Sequence, residues 1–156
     1  MENYWVPPYY FSPICGPNTE YNEHCLPSQL FGLFFTQDLM DIIVLKTNQN
    51  AREMISTNIE SDYGQYLNEI WYDVTIDELK AYFGIILLSG IVQVKSWKEY
   101  WSEDPLTRQS TFTNTFTYIR WKLITKFLNF GNPDKEGKCR LGKIWNIYTQ
   151  LQIINL

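Results

Sequence analysis

With 156 residues, 45% of them hydrophobic and 17% aromatic, the chain has the composition of a single domain with a core, not of a disordered tail. Its net charge of −4 is modest but unevenly spread. Residues 1–104 carry 15 acids and 5 bases, whereas residues 105–156 carry 2 acids and 8 bases. Such a split suggests a polyanion-binding surface in the second part, with nucleic acid as its partner; a solvated dipolar surface would give the same numbers, and the two readings stay open.

Residues 1–33 read as an irregular arm. Pro7, Pro8, Pro13, Pro17 and Pro27 exclude a long helix or a central strand, and Tyr4, Trp5, Tyr9, Tyr10 and Phe11 are too many aromatics for a free linker. The domain proper spans 34–156. Thr36 caps a first helix to about Ser56, with Leu39, Ile42, Ile43 and Met54 inward and Asp38 at its positive end. Asn48-Gln49-Asn50 is a place where that helix can stop early. Residues 57–73 are polar, contain Gly64, and read as a loop.

Val74-Thr75-Ile76-Asp77-Glu78 then opens a central helix, with Thr75 and Glu78 in capping-box spacing and Val74 and Leu79 as a staple. Leu79, Phe83, Ile86, Leu87 and Gly90 form a stripe, and the flanks are also apolar, so this helix is expected at the centre of the core. Gly84 is expected to admit a second helix closely. Ser96 and Glu99 form another capping box, Asp104-Pro105 ends that short helix, and residues 112–116 make one turn.

A helix from Tyr118 to about Asn129 buries Trp121, Ile124, Phe127 and Leu128. Lys122 and Lys126 share its outer stripe, while Arg120 lies on another side. Residues 131–142 form a basic loop. A last helix repeats apolar residues at Ile144, Ile147, Tyr148, Leu151 and Ile154. No convincing strand is present. The fold class is all-α, an irregular compact bundle of about five helices with an extended aromatic and Pro-rich N-terminal arm.

Catalytic chemistry is sparse. The single histidine, His24, sits in the arm, and no phosphate loop, GxSxG or HExxH pattern occurs. The adjacent acids Asp77-Glu78 and Glu103-Asp104 point in different directions. Cys15, Cys25 and Cys139 lack a CxxC spacing and describe neither a disulfide framework nor a zinc site, so a reducing compartment is expected. No secretory signal is visible. The apolar run from Phe83 to Val92 falls well short of the roughly 20 residues of a membrane span.

The order of motifs resembles the piggyBac-type transposase domain. Leu33-Phe34-Phe35-Thr36 with Leu39 is similar to its opening, and so is the run from Trp71 through Gly84 to Gly90-Ile91-Val92. Tyr100-Trp101, Asp104-Pro105, Phe112, Arg120-Trp121 and Phe127-Leu128-Asn129-Phe130 follow in the family's order, although His-Phe often stands where this chain has Asn129-Phe130. The likeness covers about residues 30–156. It implies a helical part that dimerises and grips DNA ahead of a nuclease domain, where the family's metal-binding aspartates lie. Asp73, Asp77 and Asp104 do not match that triad, so no catalytic residue, metal ligand or cofactor is carried over, and a truncated, non-catalytic chain is expected.

Three functions follow. The first is a nuclear (or cytoplasmic) remnant that binds DNA without sequence preference, through Arg120, Lys122, Lys126, Lys135, Lys138, Arg140 and Lys143. It would also dimerise with itself or with a related transposase-derived protein, and would need no membrane or small-molecule substrate. The second is a protein-interaction module, or a functionless remnant without DNA binding. The third is part of a longer, active, metal-dependent DDE-type transposase.

Overall fold

The computed structural model describes residues 25–104 and 108–131. The expectations for the rest of the arm, for Pro105, and for the basic loop and last helix lie outside these residues. Every regular element described is helical: α1 (Pro27–Phe34), α2 (Gln37–Thr57), α3 (Asp62–Ile70), α4 (Ile76–Ile91), a 3-10 turn (Trp97–Trp101), α5 (Ser110–Thr115) and α6 (Tyr118–Phe127). The all-α expectation holds.

The start of α1 shows why the arm ends earlier than its prolines suggest. Pro27 occupies the first helical turn, where a missing amide costs nothing, and the Leu26 amide donates to Gln29 Oε1 at 2.8 Å. Thr36 caps α2 as expected, accepting from the Leu39 amide at 3.4 Å. The helix does not stop at Asn48. The Asn48 side chain is buried and acts as a surrogate strand for the segment before α4: its Nδ2 donates to the Val74 carbonyl at 3.0 Å, and its Oδ1 accepts from the Val74 amide at 2.8 Å. Asn50 Nδ2 donates to the carbonyl of Phe127 at 2.8 Å, satisfying one orphan acceptor at the end of α6. Polar residues in mid-helix here tie two other elements to α2. Its inner face ends on Ala51 and Ile55 while Met54 is exposed, correcting the assignment of Met54.

Residues 62–70 form a helix, not a loop. Ser61 caps it, accepting from the Gly64 amide at 3.0 Å. Gly64 is required by a close approach, since a Cβ built there would lie 1.8 Å from the Asn58 carbonyl oxygen.

Thr75 caps α4, accepting from the Glu78 amide at 3.2 Å, and both staple residues, Val74 and Leu79, are buried. The helix is less central than its composition implies. Leu79, Tyr82 and Ile85 are buried, whereas Leu87 and Ile91 are exposed. Among the described residues nothing lies within 4 Å of a Cβ built on Gly84, and none of the described helices makes a close approach there. The 3-10 turn also departs from expectation: Ser96 makes no side-chain cap, and Glu99 Oε2 accepts from the Lys95 amide instead.

The core has two parts joined by α2 and α6. The larger gathers Leu39, Met40, Ile43, Leu79, Tyr82, Ile85, Tyr100, Phe112, Trp121 and Ile124. Its aromatic rings stack closely, Tyr100 on Phe112 at 4.0 Å between centroids and Trp97 on Trp121 at 4.6 Å. The smaller joins Ala51 and Ile55 of α2, Leu67 of α3, and Leu123 and Phe127 of α6. Among the described residues, no single helix is long and apolar enough to cross a membrane.

Candidate nucleic-acid interface

Helix α6 positions the basic residues. Thr117 caps it, accepting from the Arg120 amide at 3.2 Å. Trp121, Ile124 and Phe127 then face the core at helical spacing. That register places Lys122 and Lys126 outward, where both are exposed. They border α3, whose Tyr63 and Tyr66 are 56% and 46% exposed. A groove of about 430 Å³ runs between the two helices, lined by Tyr63, Tyr66, Ile119, Lys122 and Lys126 over a floor of Leu67 and Leu123.

Lys126 is oriented within it. Its Nζ donates to the Tyr63 hydroxyl at 2.7 Å and lies 4.4 Å from the centre of the Tyr63 ring. Two ammonium groups beside two exposed phenol rings form a surface with charge for phosphate and flat faces for sugar or base. The acids Asp62 and Glu69 are exposed on α3, which limits the positive potential of this face.

Arg120 does not belong with these lysines. It is only 5% exposed and points into the fold. Its Nε and Nη2 donate to Glu78 Oε1 and Oε2, each at 2.6 Å, and Nη1 donates to the Tyr72 carbonyl at 3.0 Å. The guanidinium also stacks over the Tyr72 ring at 3.6 Å and lies 4.8 Å from that of Trp71. This bidentate pair joins α6 to α4 and uses the Glu78 side chain that the capping box was expected to use. Arg120 thus stands apart from the exposed lysines and acts as a joint between α6 and α4. Lys135, Lys138, Arg140 and Lys143 lie outside the described residues.

The tyrosines are what sequence reasoning missed. Tyr63, Tyr66, Leu67 and Ile70 recur at i, i+3, i+4 and i+7 after Ser61, a helical period that the polar neighbours and Gly64 obscured. Among the described residues, no three of His, Cys, Asp and Glu converge as a metal set, so no metal-dependent step is derived from them.

The profile of transposase IS4 matches residues 26–153. The chain belongs to this family, in its piggyBac-type branch. A relative, the human PiggyBac transposable element-derived protein 2, is 25% identical over 124 residues. The match covers 79% of this chain but 19% of that protein, so the chain spans about a fifth of its relative's length. No solved structure matches. The piggyBac-type motifs coincide with the fold's joints: Trp71 and Tyr72 carry the Arg120 guanidinium, Thr75 caps α4, and Tyr100 and Phe112 stack in the core.

Proposed function

We propose that this chain is a DNA-gripping part of a piggyBac-type transposase. It holds duplex through backbone phosphates without reading base sequence, and it does no strand chemistry with its own residues. The observation that carries this reading is the outward placement of Lys122 and Lys126, one turn apart, beside the exposed rings of Tyr63 and Tyr66. The basic residues Lys135, Lys138, Arg140 and Lys143 follow in the chain and extend the positive charge. Among the described residues lining this groove there is no Arg or Asn to pair with a base edge, which favours a sequence-independent grip.

The test is a titration of labelled duplex with the full chain at two salt concentrations. Affinity should fall as salt rises, with a logarithmic slope of about −0.9 per phosphate contact. Absence of binding, or binding indifferent to salt, removes the reading. Supercoiled DNA incubated with the chain and magnesium or manganese should stay closed; nicking would restore the active-transposase alternative.

A further inference from the structure

The α3–α6 groove holds more apolar surface than a phosphate uses. Lys122 and Lys126 stand on its α6 side, and Leu67, Ile70, Ile119 and Leu123 make much of the rest apolar. Ile119 is 54% exposed and lines the same groove as the open rings of Tyr63 and Tyr66. An anion gains nothing from such a surface, because it gives up water there without meeting a donor. Apolar surface rimmed by charge marks a binding site. The occupant that fits therefore carries negative charge and flat apolar faces together.

The rings and the charges are arranged in parallel rows. Tyr63 and Tyr66 stand one turn apart on α3. The Tyr63 hydroxyl accepts from Lys126 Nζ at 2.7 Å, which ties that ring to α6 before any ligand arrives. Lys122 and Lys126 are separated by a rise of about 6 Å along α6, so their charge is spread along the groove. Asp62 and Glu69 do not line it. A strand of DNA matches this pattern, with phosphates for the lysines and bases for the rings. Paired bases cannot use the rings, because in a duplex they show only their edges in the grooves. An unpaired base offers its face, and stacking on an aromatic side chain tolerates any base. A neutral apolar peptide would give the two ammonium groups no counter-charge.

We propose that the Tyr63–Tyr66 groove takes unpaired bases, so that the chain prefers DNA with a single-stranded stretch over blunt duplex; this rests on the phosphate grip proposed above. The full chain is titrated with three labelled DNAs. One is a blunt duplex, the second is that duplex with a thymidine tail of about ten nucleotides, and the third carries an abasic tail of the same length. The two tails have equal charge, so the ratio of their affinities isolates the bases and should hold at low and high salt alike. The thymidine tail should bind at least about fivefold more tightly than the abasic tail, the lower limit for stacking one base. Tyr66→Ala should bring that ratio down toward one, and Tyr66→Phe, which keeps the ring, should preserve it. The ratio is taken within each protein, so a general loss of affinity does not enter it. Equal binding of the two tails by the parent chain overturns the proposal and leaves the duplex grip standing. A ratio unchanged in Tyr66→Ala overturns it too, since the bases are then met elsewhere. Binding of none of the three DNAs overturns the grip itself, and this proposal with it.

Discussion

Arg120 and Lys126 stand on the same helix, carry the same charge, and have opposite fates. Arg120 is turned inward, paired with Glu78 through both carboxylate oxygens and sandwiched against Tyr72 and Trp71. Lys126 is turned outward, leans on one tyrosine, and keeps its ammonium at the rim of an open groove. The difference lies in what the two environments provide. A planar guanidinium has five donors to satisfy, and the inner face supplies a carboxylate, a carbonyl and aromatic faces. An ammonium is more strongly hydrated and stays where water reaches it. A count of bases over residues 105–156 therefore overstates the charge available to a polyanion by at least Arg120.

Removing one partner of the inner pair should give the largest effect. Arg120→Ala leaves Glu78 and the Tyr72 carbonyl without their main donor in a poorly solvated place. A loss of about 3–5 kcal/mol is expected in denaturant melts, near the limit of what a small domain tolerates. Arg120→Lys should recover only part of it, because an ammonium cannot make the bidentate fork. If Arg120→Ala melted like the parent chain, the contrast between the two faces would collapse.

The outer groove can be broken without touching a lysine. Gly64→Ala forces a methyl group against the Asn58 carbonyl, and backbone on that side cannot yield as a side chain would. The expected cost is about 1–3 kcal/mol, felt mainly in α3. Hydrogen exchange should then show α3 fraying while the stacked rings around Tyr100 and Phe112 stay protected. Uniform loosening of the whole domain would mean that α3 is not a separable wall.

Much of this fold was legible in the sequence. Thr36 and Thr75 cap helices where capping rules place them, and the inward faces of α2 and α6 follow the apolar period. What escaped was decided by contacts between distant segments. Asn48 reads as a helix breaker until Val74, 26 residues on, is seen to need both its amide and its carbonyl partnered. Gly64 reads as a loop residue until the Asn58 carbonyl is found against it. Glu78 fits a capping box until a buried guanidinium competes for it. The lysine half of the candidate interface was legible from helical spacing alone. Its tyrosine half belongs to the helix that the sequence disguised.

Tyr82 offers a smaller test of the inner region. Burial raises its hydroxyl above the ordinary 10.0, and the hydrogen bond with Thr125, at 3.1 Å, lowers it in part. The folded state keeps this proton after the unfolded chain has begun to release it. The stabilising contribution is therefore complete below about pH 10 and is lost as pH climbs through the raised value. Tyr82→Phe should cost about 1 kcal/mol at neutral pH through the missing hydrogen bond. It should also lose less stability than the parent chain between pH 10 and higher pH. Parallel alkaline melting curves would refute the assignment.

The outer lysines should move stability least and binding most. Lys122→Ala and Lys126→Ala remove exposed side chains, so each is expected to change stability by no more than about 0.5 kcal/mol. If each ammonium meets a phosphate, either substitution should make the logarithmic salt slope shallower by about one unit. Between 50 and 200 mM salt that is roughly a three- to fourfold smaller fall in affinity. Lys126→Ala also frees the Tyr63 hydroxyl, so Tyr63→Phe separates the two roles. With the ammonium kept and its hydrogen bond gone, the salt slope should stay as in the parent chain while affinity shifts slightly at all salts. A salt slope that depended on Arg120→Lys but not on Lys122 or Lys126 would reverse the assignment of the two faces.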